Sequence, residues 1–449
     1  PKKIVENKEG KNLARGIKLR KQPFSQPLSS FFGRCHRLSS SDLIVSLDIG
    51  TSKVRVIIGE ISDGAINIIG VGSADSEGIR KGAIVDIDRT VQSIRNAVDH
   101  AERMVGISID EVYVGIDGSH IALQSNHGVV AVSNEDREIG DEDIERVLQA
   151  AKVVALPPER EIIGLVPKQF FVDGLDSIQD PRGMIGVRLE VECTLITGSK
   201  AAIHNLMRCV EKAGLRIAGI ILMSLASGMM ALTKDEKQMG TVLADIGAGT
   251  TTLAVFDGGS LAAVSTLPIG GDYVTSDISY GFKTQTEHAE KIKLKYGCAR
   301  TEDADRNLKF KVTRVGSTQE SEFNQFELAE IIEPRVQEIF QMIRQEVRRL
   351  GYLEKINGYV LTGGSVSMPG VLQLAQTELE SNVRIAVPEY IGVRDPSYLN
   401  GVGIIQYVDR YVRTRTAVAS RRPARGRNQS GASRPGFLEW VKNLFREFI

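Results

Sequence analysis

Among its 449 residues the chain has one tryptophan, four cysteines, six histidines and no net charge, since 56 Lys and Arg balance 56 Asp and Glu. The cysteines (Cys35, Cys193, Cys209, Cys298) are scattered without a CxxC pair. That spacing excludes a disulfide framework and an ordinary zinc site, and it fits a reducing cytoplasm. The histidines show no H-E-x-x-H spacing, so a metallohydrolase signature is missing as well. The longest uncharged apolar stretch, 217–232, has 16 residues broken by serines and glycines. About 20 are needed to cross a bilayer, so the stretch reads as a buried strand running into a buried helix. The basic opening residues lack the apolar core of a secretory signal.

Charge is balanced overall but not locally. Residues 1–40 hold ten Lys/Arg against two acids, and 411–449 hold nine against two, leaving an acidic body between basic ends. An acidic body argues against nucleic acid as a partner, while basic ends suit an anionic surface. Hydrophobic content of 42% and charged content of 25% describe a globular chain long enough for two or three cores. Residues 1–40 show no sustained period and read as a disordered arm.

The motif that organises the chain is TVLADIGAGTTTLAVF at 241–256. It reads as strand, tight turn and strand, with a carboxylate at the mouth of the turn. Gly247 and Gly249 would let backbone N–H groups approach a phosphate, with Thr250 beside them. Asp245 would repel a phosphate directly, so its natural task is to hold a hydrated Mg2+. A near-copy, LIVSLDIGTSKVRVIIGEI, stands at 43–61 with Asp48, Gly50 and Thr51 in the corresponding places. Lys53, just past that turn, is read either as a phosphate-neutralising ammonium or as a solvated hairpin lysine.

Around the two turns the pattern is α/β. A third strand at 66–72 completes a meander, and Asp88 is expected to cap a helix over 90–105 that stops at Gly106. Residues 111–197 read as a compact strand-and-helix insert that includes the strand EVYVGID and a helix at 141–154. Ser199 opens a helix burying Ile203, Leu206 and Val210, 217–222 is a buried strand, and a helix begins at 226. A glycine pair, 270–271, precedes a helix whose first amides would favour an anion. Glu290 and Lys293 lie one turn apart, as a stabilising ion pair or as a pair reaching a ribose. Residues 301–323 read as loop or weak strands, and a helix at 334–350 is expected to open on Pro334. Thr362, Gly363 and Gly364 form a turn that suits a flat ring such as adenine, or tight packing alone. Gly401 and Gly403 mark close packing of a last helix across a hinge.

These pieces in this order resemble the actin-like ATPase superfamily, which sets a D-x-G-T turn, a D-x-G-x-G-T turn and a T-G-G turn around one nucleotide. The segments 66–70, 78–88 and 112–121 and the run through Ala299 are similar to the FtsA family of bacterial cell-division proteins. The resemblance covers about 42–409 and resumes at the C-terminus. It implies an α/β, actin-like ATPase fold: two ribonuclease-H-like domains around a nucleotide cleft, an inserted small α+β subdomain (1C) and a C-terminal amphipathic helix. The implied divisions are a basic arm (1–41), subdomain 1A (42–110 and 199–240), 1C (111–198), 2A (241–283 and 356–409), 2B (284–355), a basic linker (410–435) and a membrane-targeting helix (436–449).

The resemblance implies ATP and Mg2+ as cofactors. It assigns Asp48, Gly50, Thr51, Lys53, Gly247, Gly249 and Thr250 to the phosphates, Asp48 and Asp245 to Mg2+ through water, Glu290 and Lys293 to the ribose, and Gly363 and Gly364 to the adenine. The implied function is a polymerising membrane adaptor that tethers the division protein FtsZ at the cytoplasmic face of the division site. FtsZ's C-terminal peptide would meet subdomain 2B, with Arg335 a candidate contact or merely a solvated helix arginine. Other division proteins would meet 1C. One departure stands out: where the superfamily often carries a Gln or Glu that polarises the attacking water, this chain has Met223 and Ser224. Tight ATP binding with slow hydrolysis is therefore expected.

The tail GFLEWVKNLFREFI repeats Phe437, Leu438, Val441, Leu444, Phe445 and Phe448 at helical spacing, with Trp440 beside the stripe. Insertion of such side chains is worth roughly 1–2 kcal/mol each, and a polar linker leaves little to dock the helix on the body. Membrane-surface binding is the preferred reading. A soluble sugar kinase of the same fold is the first alternative, although no carboxylate base facing a sugar can be placed. An actin-like pilus-assembly scaffold is the second.

Overall fold

The computed structural model describes residues 43–62, 64–316 and 320–413, so the readings of the basic arm, most of the linker and the amphipathic tail lie outside the described residues. The first half opens with β1 (Leu43–Ile49), β2 (Lys53–Ser62) and β3 (Ala65–Asp75), an antiparallel meander. Alternation along these strands buries Leu47, Val54, Val56 and Ile58. A small hairpin, β4 (Ile79–Arg80) and β5 (Ala83–Ile84), precedes α1 (Ile87–Val105). The cap of α1 is Asp86 rather than Asp88. Asp86 has extended backbone and accepts a hydrogen bond from Arg89 N at 3.1 Å, while Asp88 lies inside the first turn and pairs with Lys212. The buried stripe reaches back to Thr90 and Val91, so the cap must lie a turn earlier. Gly106 closes the helix in the left-handed region, as read.

Next comes β6 (Glu111–Ile116), which was expected within the insert. It lies instead in the middle of the first sheet, parallel to β1 and to a later strand. Its residues Val112, Val114 and Ile116 are buried, as a central parallel strand requires. The insert proper is β7 (Ala122–Ala131), α2 (Asp141–Ala150), β8 (Arg160–Val172), β9 (Leu175–Ile178) and β10 (Arg188–Ser199). Its antiparallel sheet has the order β7-β10-β8-β9 and carries its own core around Ile139, Val147, Leu189, Val191 and Leu195. The helix α2 ends four residues short of expectation.

The chain returns through α3 (Lys200–Lys212), β11 (Arg216–Leu222) and α4 (Met223–Ala231), the last beginning three residues earlier than read, followed by the short α5 (Lys234–Met239). Ile203, Leu206 and Val210 are buried as expected, and Ser199 stands at the N-cap without a side-chain bond.

The second half repeats the plan. It contains β12 (Thr241–Ile246), β13 (Thr251–Asp257), β14 (Ser260–Leu267), α6 (Gly271–Phe282), α7 (Thr286–Tyr296), β15 (Lys309–Thr313), β16 (Glu320–Asn324), α8 (Gln325–Arg349), β17 (Gly358–Thr362), α9 (Val371–Leu379), β18 (Asn382–Ile385) and α10 (Leu399–Tyr407). Its sheet order, β18-β17-β12-β13-β14, matches the first half's β11-β6-β1-β2-β3 strand for strand and direction for direction.

The reading of a helix opening on Pro334 is corrected: Pro334 lies inside α8, which starts at an Asn324–Glu327 capping box. An internal proline costs about 3 kcal/mol. The buried stripe Leu328, Ala329, Ile332, Val336, Ile339, Phe340 and Ile343 runs straight across it and outweighs that cost.

The closing helix α10 follows β18 as α4 follows β11, and the two helices pack on each other. Small residues make this possible. A methyl on Gly401 would sit 2.6 Å from Ile57 Cδ1, and one on Gly403 would sit 2.9 Å from Ala226 O. In this way the last helix of the second half is fastened to the sheet of the first.

Candidate functional site

Between the halves is a cleft of about 770 Å3, within the range that holds a nucleotide-sized ligand. Asp48, Gly50, Thr51, Lys53, Asp245, Gly247, Thr250, Glu290, Lys293, Gly363 and Gly364 all line it. Gly249 does not line the cleft, and it has a different part. It faces Thr51 so closely that a methyl on it would fall 2.7 Å from Thr51 Cγ2 and 2.8 Å from Oγ1. The two glycine turns, one from each half, therefore touch.

Each turn is braced by its surroundings. Gly50 N donates to Lys53 O at 3.0 Å and Gly247 N to Thr250 O at 2.9 Å. The amides of Gly271 and Asp272 were expected to be open to an anion. They donate instead to Gly247 O (3.0 Å) and Ala248 O (2.8 Å), so the start of α6 fixes the turn rather than the ligand. Those donors are already satisfied, which removes them as an anion site. The β4–β5 hairpin leans over both turns. Gly82 N donates to Thr51 Oγ1 at 3.2 Å, and the Lys81 ammonium lies 5.4 Å from the centre of the Tyr273 ring across the cleft.

On the cleft floor are Asp48, only 5% exposed, and Asp245. Burial pushes the Asp48 carboxyl up to about 6; Arg55 opposes this and Asp245 reinforces it. The Asp245 carboxyl is also raised by burial, against a 2.8 Å hydrogen bond from Asn400 Nδ2. Asn400 in turn accepts from Ser227 Oγ at 2.5 Å. A third carboxylate, Asp117, follows β6. Burial pushes it up to about 7, with Asp245 and Asp48 adding to the rise and bonds from Ser224 opposing it. The Arg55 guanidinium lies 5.3 Å from the centre of the Tyr398 ring, and its buried Nε has no partner among the described residues.

Carboxylates crowded in this way favour the charged form once a divalent cation stands beside them. The floor thus fits a hydrated Mg2+, and the glycine turns, which a Cβ would fill, fit phosphate oxygens.

The remaining assigned residues divide. Lys293, with a side chain 10% exposed, donates to Gly271 O (3.1 Å) and Thr275 Oγ1 (2.8 Å) and pairs with Glu290 at 2.7 Å. The ion pair is real, and both residues still face the cleft. Gly363 has φ of +94° and abuts the Asp245 carboxylate and Ile246 O, so it is a packing glycine; Gly364 is open, with Ser397 Cβ the nearest atom to an added methyl at 3.8 Å. Lys53 is committed to Asp75 at 2.6 Å. Arg335 is not a solvated arginine: Asp277 holds it through bonds of 2.5 and 3.1 Å, and Glu338 is on its other side.

Sequence reasoning assigned no role to Arg55, Lys81, Asp117, Ser227 or Asn400, and gave Ser224 no hydrogen-bonding task. The signal for Asp117 is an aspartate with a glycine at the end of an apolar strand, although the two are adjacent rather than in the D-x-G spacing of the Asp48 and Asp245 turns.

Comparison with known proteins extends the picture. The family description "Cell division protein FtsA" matches residues 242–403, and "SHS2 domain inserted in FTSA" matches 118–197, beginning after β6 as the topology does. The cell division protein FtsA of Bacillus subtilis is 53% identical over 376 residues, covering 84% of this chain and 86% of that protein. Those of Pseudomonas aeruginosa and Escherichia coli are 41% and 36% identical, covering 82% and 81% of this chain and 90% of each relative. Among solved structures, the PilM–PilN type IV pilus biogenesis complex aligns with a TM-score of 0.57 at 16% identity, over 81% of this chain and 97% of that one. MreB5 of Spiroplasma citri bound to ADP aligns with a TM-score of 0.51 at 11% identity, over 84% and 98%. Those two likenesses speak for the actin-like ATPase fold alone. Identity of 53% across 84% of the chain is far more than a shared fold produces, and the chain belongs to the FtsA family of cell-division proteins.

Proposed function

We propose that this chain binds ATP with Mg2+ in the cleft, polymerises, and tethers FtsZ to the cytoplasmic face of the cell membrane at the division site. FtsA proteins bind and hydrolyse ATP and act with FtsZ at the membrane. The observation that carries the reading for this chain is the meeting of the two glycine turns at Thr51 and Gly249 above the buried Asp48 and the half-buried Asp245. A ligand that bridges both turns would tighten that contact between the halves, and a triphosphate with its cation has the length and charge to do so.

In this reading Gly50, Thr51, Gly247 and Thr250 hold phosphates, Asp48 and Asp245 hold Mg2+ through water, Glu290 and Lys293 meet the ribose, and the adenine lies along Gly364. Lys53 would have to leave Asp75 to reach a phosphate. Residues 284–355 would carry the site for the C-terminal peptide of FtsZ. Arg335 serves there only by exchanging Asp277 for an acid of the partner. The insert is assigned to other division proteins, and residues 436–449 to the anionic membrane through Phe437, Leu438, Trp440, Val441, Leu444, Phe445 and Phe448.

The test is co-sedimentation of the full chain, and of a form lacking 436–449, with anionic liposomes and FtsZ, with and without ATP and Mg2+. The full chain should carry FtsZ into the pellet and the shortened form should leave it in solution. Equal pelleting by both forms would overturn the tether.

A further inference from the structure

The first turn of α4 lacks the Gln or Glu expected to polarise water, yet it is not idle. Ser224, its second residue, donates to Asp117 from N at 2.9 Å and from Oγ at 2.8 and 2.9 Å. These two donors hold one carboxylate, which enters from the neighbouring strand β6 and lines the same cleft as Asp48 and Asp245. The second residue of the other closing helix does the matching task, since Asn400 in α10 orients Asp245. Met223, the first residue of α4, lies so close to Gly115 that a methyl there would be 2.7 Å from its Sδ. It is packed against the strand that carries Asp117 and offers water no polar group.

We propose that Asp117 orients the water that attacks the γ-phosphate of ATP and accepts its proton, with Ser224 as its positioning residue. This rests on the ATP reading above. In the step, the water oxygen forms a bond to the γ-phosphorus as the bond from phosphorus to the β,γ-bridging oxygen breaks. The bonding pair leaves on ADP, and one water proton passes to Asp117 and from there to a product phosphate oxygen. The donors of Ser224 fix the orientation of the Asp117 carboxylate, as a group that aligns a water and takes its proton requires.

Other roles for Asp117 separate by measurement. If it only anchored the start of α4, its loss would lower thermal stability and nucleotide affinity together. If it repelled the phosphates, its loss would tighten binding and leave the rate alone. The experiment uses the full chain, a fluorescent ATP analogue for affinity, phosphate release in single turnover for rate, and thermal unfolding for integrity. Asp117→Asn keeps the shape and the Ser224 Oγ contact. It should bind ATP–Mg2+ within about threefold of the parent and release phosphate about a hundredfold more slowly. Ser224→Ala keeps the carboxylate and its bond from the backbone N–H but removes the bonds from Oγ, and it should slow release by about tenfold with affinity unchanged. Phosphate release by Asp117→Asn at the parental rate overturns the proposal. So does a parent that binds ATP and never cleaves it, which leaves the binding reading intact. A parent that binds no ATP overturns the binding reading first.

Discussion

A single methyl group at position 249 should hold the cleft open. Gly249 belongs to the turn of the second half, and Thr51 to the turn of the first. Cβ of an alanine there would stand 2.7 Å from Thr51 Cγ2, 2.8 Å from Oγ1 and 3.1 Å from Cβ. Carbon atoms rest at about 3.5–4.0 Å, so the turns must part by roughly 1 Å. A backbone N–H bond of ordinary length to a phosphate held by both turns stretches past about 3.5 Å under that displacement and is lost. Gly249 is outside the positive-φ glycines, so backbone strain adds nothing and the effect is steric. Overpacking of this kind costs about 1–3 kcal/mol, which is about 5- to 150-fold in affinity. Gly247→Ala is the comparison: its methyl meets only Thr250 O at 3.1 Å, within its own turn. Titration with a fluorescent ATP analogue, beside thermal unfolding of the ligand-free proteins, checks the ranking. Gly249→Ala should bind more weakly than Gly247→Ala, with ligand-free unfolding close to the parent. Parental affinity in Gly249→Ala would refute the clamp.

Three further outcomes follow from other contacts. Gly364→Ala meets no protein atom nearer than 3.8 Å, so it should unfold like the parent and lose about tenfold in ATP affinity; Gly363→Ala, with φ of +94° against the Asp245 carboxylate, should lose stability even without nucleotide. Gly72→Ala would drive a methyl into Ala97 O and Ala101 on α1, and should destabilise by about 2–4 kcal/mol in urea unfolding unless α1 can lift from β3. Glu236 is drawn down from 4.5 to about 2, chiefly by its hydrogen bonds from Arg384. Its carboxylate is favoured in the folded protein, so the pair contributes fully above about pH 4.5 and is lost as pH falls toward 2. With Arg384 partly exposed the contribution is held to about 1–2 kcal/mol, so Glu236→Gln should lose less stability than the parent between pH 6 and 3. An identical loss would exclude the pair as a source of the acid sensitivity.

What could be read in the chain beforehand was whatever chemistry is local. Asp48 with Gly50 and Thr51, and Asp245 with Gly247 and Thr250, each carry carboxylate, bare backbone and hydroxyl within a few positions, and Thr362 with Gly363 carries the last two. One glance at spacing suffices for those. Asn400 is 155 positions from the Asp245 it orients, and Ser224 is 107 from Asp117. No periodicity encodes such a pair, because only the sheet order brings the ends of β12 and β6 beside the starts of α10 and α4. The placement of β6 failed for a related reason: a short apolar run has the same look in an insert as in a central parallel strand. Pro334 misled because a proline marks a helix start in isolation, whereas the buried stripe of α8 is a tertiary property.

The matching strand orders of the two halves bear on how a ligand can lie between them. Two identical sheets facing each other would offer a ligand two equal ends. The two halves are extended at different points: the first between its fourth and fifth strands, and the second between its third and fourth. The tips of the two fourth strands differ as well, one ending at Asp117 and Gly118, the other at Thr362 and the glycines after it. The groove between them therefore has a head and a tail, and it offers an asymmetric ligand different surfaces in its two senses.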